Sequence, residues 1–177
     1  MVISLEKVKE LVSFPDGWTD EKILMKLLAV EQTIRAYTNN NFQDRGFRVS
    51  AQIIGGVFIA ESPIPFSAGD TVQVSESQYN TGLYTVTEVI GDTFAVAEKC
   101  RDEDFVLCTL VRYPADVVAC AVDLMTWEVN NRDKVGVQSE TISRHSVTYF
   151  NQDAANQVMG YPASLLGCLK AYRKARC

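Results

Sequence analysis

Few residues in this chain have the side-chain chemistry of catalysis or metal binding. The single histidine, His145, lies beside Ser146 in a stretch with the alternation of a β-strand. Adjacent strand residues point to opposite faces, so this pair is poorly placed for nucleophilic catalysis and His145 is expected to face solvent. Asp102, Glu103 and Asp104 offer oxygen ligands for a cation, but the further spaced acids of a calcium loop are missing. We therefore favour a solvated acidic turn over a cation site.

The longer sequence motifs of enzymes and nucleotide-binding or metal sites are also missing. The sequence contains no G-x-S-x-G, G-x-x-x-x-G-K-[ST], G-x-G-x-x-G or H-E-x-x-H pattern. No two of the five cysteines are spaced as C-x-x-C, which disfavours a zinc ribbon or a redox motif. Cys108 and Cys120 lie in apolar runs typical of small core residues. We predict that the protein is not an enzyme and has no catalytic residues, no cofactor and no metal site.

Charge is unevenly distributed along the 177 residues. The formal net charge is −5, and residues 47–112 hold nine acidic and four basic side chains, so the remainder is neutral. A global basic footprint for nucleic acid is therefore absent. The N-terminal stretch becomes charged within six residues, and no apolar run approaches the length of a membrane span. These features predict that the chain has neither a signal peptide nor a membrane segment. We expect it to be made in a reducing cytoplasm.

Helical periodicity occurs at both ends of the chain. Residues 4–12 predict a short helix, and apolar residues at alternating spacings of four and three predict a longer one from Thr19 or Asp20 to Tyr37. A third helix is predicted from Pro114 to about Asn131, since proline suits a first helical turn. Pro162 is expected to open a last amphipathic helix with a basic end. Its apolar stripe and basic residues are Leu165, Leu166, Leu169, Tyr172, Lys170, Arg173, Lys174 and Arg176.

Between these helices, the pattern changes to short alternating runs typical of strands. Gly55-Gly56 and Gly91-Asp92 predict tight hairpin turns. The predicted strands are 47–54, 57–60, 71–75, 83–90, 93–97 and 105–111. Five or six such strands without an intervening helix predict a small antiparallel barrel, SH3-like or OB-like.

The predicted fold class is therefore α+β. It combines a small helical bundle, of about four helices plus a β-ribbon strand, with an inserted antiparallel small β-barrel or sheet module. The predicted domains are a discontinuous helical domain over 1–46 and 113–177 and an inserted β module over 47–112. Residues 141–150 predict the further strand. The alternating stretch 136–149 is either the edge of a two-stranded ribbon or an exposed strand that pairs with a neighbouring subunit. The last helix either closes the helical core or docks on a partner.

Three stretches resemble the head–tail connector proteins (adaptor or head-completion proteins) of long-tailed double-stranded DNA bacteriophages and their prophages. The first is the helix 19–37 followed by Thr-Asn-Asn-Asn-Phe at 38–42, similar to the family's Y-T-N-N-x-F ending. The second is the helix 114–128 followed by Gly-Val-Gln-Ser-Glu-Thr-Ile at 136–142 and Ser-Val-Thr-Tyr at 146–149. The third is Tyr161-Pro162, followed by Leu165, Leu166 and Leu169 and then by Tyr172-Arg173. The resemblance covers the 111 residues outside 47–112.

The resemblance implies a structural virion protein that forms a ring, usually of twelve copies, at the head–tail neck. Such a ring docks below the portal protein and links it to the next neck or tail protein, and DNA passes through its channel without sequence-specific binding. The portal-docking residues implied here are Tyr161, Leu165, Leu166, Leu169, Lys170, Tyr172 and Arg173. The implied contacts to neighbouring subunits or the next ring are Ser139, Glu140, Thr141, Ile142, Val147 and Tyr149. No membrane partner is implied.

Two other functions compete with this one. Seven aromatic residues between 47 and 105 would suit a barrel that stacks single-stranded nucleic acid, as in a phage or cellular regulator, but the acidic charge there repels phosphates. Most of these aromatics are better interpreted as barrel core. The other competing function is a hydrolase that uses His145.

Overall fold

The computed structural model describes residues 1–132, 139–142, 145–148 and 157–175, and in 139–142 and 145–148 it defines the backbone only. The chain divides into two compact units. We call Met1 with Asn41–Tyr113 the barrel unit. We call the second unit, Val2–Asn40 with Pro114–Cys177, the terminal unit.

Six antiparallel strands close the barrel unit into a barrel. They are β1 (Gln43–Ile54), β2 (Val57–Ala60), β3 (Thr71–Ser75), β4 (Gly82–Ile90), β5 (Thr93–Val96) and β6 (Glu103–Val111). The order around the barrel is β1-β2-β5-β4-β3-β6, and β6 pairs with β1 to complete the ring of hydrogen bonds. Three of the neighbouring pairs are hairpins, whereas β2–β5, β3–β6 and β1–β6 join strands that are distant in sequence.

The predicted strand positions and hairpin turns are confirmed to within a few residues. Gly55 and Gly56 have φ angles of 60° and 80° and connect Ile54 to its partner Val57. Positive φ at both central residues is the geometry that a two-residue hairpin turn requires, and glycine adopts it without steric cost. The largest difference is that β1 begins at Gln43 rather than Phe47.

Alternate residues of the strands fill the barrel core. Phe58 and Phe94 are cross-strand partners with ring centroids 4.6 Å apart, and Phe66 meets Phe94 edge-on at 5.1 Å. Cys108 is fully buried among them, as predicted, and Cys120 is buried in the terminal unit.

The expectation that most aromatics of this region belong to the core is confirmed, because Phe58, Phe66 and Phe94 are buried there and Tyr84 packs against them. The other three are exposed. Phe47, Tyr79 and Phe105 are 39, 57 and 44% exposed. Two of them lie against arginines, Phe47 with Arg112 and Tyr79 with Arg101. Position on the outer side of a strand or in a loop, rather than residue type, decides their exposure.

The terminal unit contains α1 (Leu5–Leu11), α2 (Asp20–Thr38), α3 (Ala115–Asn131) and a 3₁₀ helix (Gly167–Tyr172). Ser4 and Thr19 cap α1 and α2 by accepting hydrogen bonds from backbone N–H groups. Asn39 ends α2 in the left-handed conformation, with φ 48°. The unit also has two antiparallel pairs: β7 (Ser139–Ile142) with β8 (His145–Thr148), and β9 (Gln157–Val158) with β10 (Tyr161–Pro162).

The predicted fold class, a small helical bundle with an inserted β module, is wrong. The structure is organised around the closed six-stranded barrel, and the described part of the terminal unit does not form a four-helix bundle. One reason lies in the last predicted helix, which is a 3₁₀ helix preceded by turns. Its inward-facing residues Leu166, Leu169 and Tyr172 are three apart, which fits the three residues per turn of a 3₁₀ helix. Gly167 further lowers the α-helical propensity of so short a segment.

Candidate functional site

Five of the six predicted inter-subunit residues lie in one β-hairpin. Ser139 pairs with Thr148, Glu140 with Val147, Thr141 with Ser146, and Ile142 with His145. The predicted further strand is thus divided between two short paired strands, which corresponds to the two-stranded ribbon alternative. Tyr149 lies outside the described residues.

The predicted portal-docking residues differ sharply in exposure. Tyr161, Leu166 and Leu169 are 4% exposed or less, so they belong to the core of the terminal unit itself. Leu165 and Tyr172 are half-buried, and Lys170 and Arg173 are exposed. Among the described residues of this segment, Lys170, Arg173 and Lys174 are the exposed cations that can offer charge to a partner.

The C-terminal segment is tied to the end of α2 by hydrogen bonds. The side-chain amide of Asn40 donates to the carbonyl of Tyr172 at 3.2 Å, and that of Asn39 donates to the carbonyl of Ala175 at 2.9 Å. The N–H of Lys174 donates to the carbonyl of Thr38 at 2.8 Å. The run of asparagines predicted to end a helix therefore also holds residues 172–175 against the end of α2.

A buried carboxylate, missed by the sequence analysis, organises the terminal unit. The side chain of Glu128 on α3 is only 3% exposed and accepts hydrogen bonds from three residues. They are Lys26 Nζ at 3.0 Å, the Tyr161 hydroxyl at 2.7 Å and the Arg132 guanidinium, whose Nε lies 3.0 Å from Oε1. Arg132 also stacks on Trp127 and Tyr161, 4.7 and 5.1 Å from their ring centroids.

These contacts determine the protonation of Glu128. Burial by itself raises the pKa of the carboxyl, but the hydrogen bonds from Arg132, Tyr161 and Lys26 outweigh it and lower the pKa to about 2. Burial and the Glu128 carboxylate raise the pKa of the Tyr161 hydroxyl. The cluster is saturated with internal partners, which suits a structural role in holding three segments together.

An apolar surface covers the outer side of the barrel, where β1, β2, β5 and β4 are neighbours. Ile54 lies beside Val57, Ile59 beside Thr93, and Thr93 beside Ile90. Because alternate residues of a strand share a face, these five side chains form a continuous strip, which we call the outer face. Ile54, Val57 and Ile90 are 54, 39 and 63% exposed. Contiguous exposed aliphatic residues of this kind mark protein-binding surfaces.

Acidic residues border the outer face. Glu88 lies opposite Ala95, whose other neighbour is Val57, and Asp92 occupies the turn between Ile90 and Thr93. Asp102 reaches the tip of the β1–β2 hairpin, where its carboxylate accepts a hydrogen bond from the Gly55 N–H at 2.8 Å. Residues 52–60 and 88–96 contain no lysine or arginine. The surface is therefore apolar at its centre and negative at its edge.

Within the predicted acidic turn, Glu103 acts as a loop clamp rather than a solvated side chain. Its carboxylate accepts hydrogen bonds from the Ser77 hydroxyl at 2.7 Å, the Asn80 amide at 2.8 Å and the Gln78 N–H. Burial tends to raise the pKa of Glu103, but these hydrogen bonds lower it below its ordinary value. Asn80, 3% exposed, completes the clamp by exchanging hydrogen bonds with the backbone of Arg101. Asp102 and Asp104 are exposed, as a solvated acidic turn predicts, whereas Glu103 is half-buried and hydrogen-bonded.

Among the described residues, no group of three or more His, Cys, Asp or Glu side chains converges as a metal site would require. In the same part of the chain, no helix has the length and apolar character of a membrane span. In comparisons with known proteins, the sequence matches no family model and no curated protein. The chain is an α+β protein with a closed antiparallel barrel. The outer face of this barrel suits contact with another macromolecule.

Proposed function

We propose that this chain is a structural protein of a bacteriophage virion that forms a ring at the head–tail interface. The ring docks below the portal protein, links it to the next neck or tail protein and leaves a channel for DNA. The copy number in this proposal, twelve, comes from the resemblance to head–tail connector proteins. The chain is made in the bacterial cytoplasm, functions in the neck of the virion and carries out no catalysis.

The observation that carries the proposal is the outer face of the barrel. Its exposed Ile54, Val57 and Ile90 are an unfavourable surface for an isolated protein, and contact with a partner would remove them from water. Protein-binding surfaces commonly combine an apolar centre with a polar rim, which is the pattern seen here.

Charge indicates which surface of another copy this face would meet. The barrel unit has ten acidic and five basic side chains, whereas the terminal unit has twelve of each. Two outer faces would repel one another through their acidic edges, so a symmetric face-to-face dimer is disfavoured. The terminal unit of the next copy is the better partner, since it is neutral and exposes Met25 and Leu28 on α2. Contacts between two different surfaces propagate from copy to copy and close into a ring when the rotation allows.

The docking role proposed for the C-terminal segment is narrower than the one the sequence predicts. Tyr161, Leu166 and Leu169 are buried in their own unit, so the portal contact in this proposal uses the exposed Lys170 and Arg173. Two cations on the surface near a chain end suit an acidic patch on a partner.

Self-assembly is tested with Ile54→Asp and Ile90→Asp, compared by sedimentation velocity over a wide concentration range. We expect each charge to weaken association at least tenfold, because it would be buried beside the acidic edge. Tyr79→Asp is the matched control, since Tyr79 is an exposed apolar residue of the same unit outside the outer face. A wild-type chain that stays monomeric, both alone and with its cognate portal protein, would refute the ring.

Portal docking is tested by charge reversal, because truncation before Tyr161 would remove buried core residues. Lys170→Glu should lower the affinity for portal particles in a pull-down or by cryo-electron microscopy, and Lys7→Glu should leave it unchanged. Lys7 is an exposed lysine of α1, at the other end of the chain. Equal binding of both variants would contradict the docking assignment.

Fluorescence titration with single- and double-stranded DNA at low salt distinguishes this proposal from the nucleic-acid-binding alternative. We expect weak binding without sequence preference, since the barrel unit is acidic. Tight binding that weakens steeply with salt would favour the alternative, with Phe47 and Arg112 as the first stacking pair to test.

A further inference from the structure

Two cysteines of the terminal unit, far apart in sequence, converge on one carbonyl group. Cys120 lies on α3 and Cys168 in the first turn of the 3₁₀ helix. The thiol of Cys120 donates to the Leu165 carbonyl oxygen at 3.4 Å, and the thiol of Cys168 donates to the same oxygen at 3.5 Å. Both thiols are free in the structure.

The shared acceptor limits the distance between the sulfur atoms. They cannot be farther apart than the sum of the two hydrogen-bond lengths, and the neighbouring Cys168 helps to raise the pKa of Cys120. Disulfide formation requires the sulfurs to approach by rotation about the Cα–Cβ bonds. Cys168 is at the surface, so its side chain has room for that rotation.

Exposure sets the order in which the two thiols react. Cys168 is exposed, whereas Cys120 is 2% exposed and its pKa is raised, first by burial and then by Cys168. A reagent in solution therefore meets Cys168 first, and Cys120 is the buried partner that completes the bond.

We propose that Cys120 and Cys168 form a redox modification site, which a low-molecular-weight disulfide such as oxidised glutathione converts to an intramolecular disulfide. The Cys168 thiolate attacks the reagent, forms a mixed disulfide and releases one glutathione thiolate. The Cys120 thiolate then attacks the Cys168 sulfur and releases the second glutathione. The two cysteines are oxidised, one oxidised glutathione is reduced to two thiols, and the two cysteine protons pass to the solvent and the leaving thiolates.

The disulfide would fasten the C-terminal segment to α3. It would close a loop of about fifty residues and hold the exposed Lys170 and Arg173 at a fixed distance from that helix. The modification does not depend on the ring proposal, since it needs only the two thiols of one chain.

The other cysteines act as internal controls. Cys108 is fully buried in the barrel core, where burial raises its pKa to about 12. Cys100 is half-buried in the barrel unit, and its thiol lies 3.8 Å from the Glu98 carbonyl oxygen. Neither belongs to the unit that holds the proposed pair.

The test is oxidation of the whole protein with oxidised glutathione at mildly alkaline pH, followed by trypsin digestion without reduction. Each of the five cysteines falls in a separate tryptic peptide, so the linkage is unambiguous. We expect peptide 113–132 joined to peptide 145–170, with a mass lower by two hydrogens than the sum of the two peptides. The melting temperature should rise by roughly 10 °C and return to its original value on reduction.

Two variants complete the test. Cys168→Ser should abolish the linked peptide and the thermal shift, whereas Cys100→Ser should leave both unchanged. A stable mixed disulfide between glutathione and Cys168, with Cys120 still a thiol, would overturn the proposal. Linkage of Cys168 to Cys177 or Cys100 instead of Cys120 would overturn it as well.

Discussion

Replacement of Glu128 by glutamine should destabilise the terminal unit in a pH-dependent way. The carboxyl pKa is lowered from its ordinary value of 4.5 to about 2 in the folded protein. Each pKa unit corresponds to about 1.4 kcal/mol, so the charged form contributes about 3 kcal/mol to folding. Lys26 and Arg132 remain about a third exposed and partly hydrated. We therefore expect a loss of about 2 kcal/mol at neutral pH.

The sign of the pH dependence follows from the lowered pKa. A carboxyl group with a lower pKa in the folded state stabilises that state above its unfolded pKa. For Glu128 this contribution is complete above about pH 5 and disappears as the pH falls toward 2. Glutamine has no proton to gain, so the difference in stability between wild type and Glu128→Gln should shrink over the same range.

Urea unfolding followed by tryptophan fluorescence measures this difference. Trp127 is a local reporter because its ring lies 5.3 Å from that of Tyr161 and beneath Arg132. Glu10→Gln is the matched control, since the Lys7–Glu10 ion pair is exposed at the surface and should contribute less than about 0.5 kcal/mol. A Glu128→Gln effect as small as that of the control, or one that stays constant between pH 3 and pH 7, would refute the reasoning.

Two further substitutions test the packing of the barrel core and the contact between the end of α2 and the C-terminal segment. Phe58→Ala should cost about 3–5 kcal/mol in thermal denaturation, because Phe58 is fully buried against Phe94, whereas Phe47→Ala at the surface should cost less than about 1 kcal/mol. Equal costs would contradict the barrel core. Asn39→Ala should destabilise by about 1–2 kcal/mol and Asn39→Gly by less, since both lose the hydrogen bond to the Ala175 carbonyl but only glycine tolerates the left-handed backbone. A glycine variant as unstable as the alanine variant would contradict that account.

The strands and their turns could be predicted from the sequence because their signals are local. Gly55-Gly56 specifies a two-residue turn through backbone freedom alone, and the alternation on either side specifies which residues point inward. The pairing of β6 with β1 could not be predicted in this way. It joins strands fifty residues apart, and no local pattern distinguishes it from other closures of the same sheet.

The misassigned C-terminal helix has a similar cause. Leu165, Leu166, Leu169 and Tyr172 fit a helical stripe, but a three-residue spacing also fits a 3₁₀ helix. Whether an α-helix or a 3₁₀ helix forms is determined by what the segment packs against and by its hydrogen bonds to Asn39 and Asn40. For the same reason, buried and exposed members of the predicted docking set could not be separated in advance.

The sequence by itself determined helices α1, α2 and α3, the six strands between α2 and α3, the tight turns and the concentration of negative charge in the central region. The helices, strands and turns each depend on residues within about twenty positions of one another, and the charge depends on composition alone. Tertiary structure alone decided which strands pair around the predicted barrel and that Ile54, Val57 and Ile90 share one exposed face. It also decided that Glu128 is buried between Lys26, Arg132 and Tyr161. These features depend on distances between residues remote in sequence, and such distances exist only once the chain has packed.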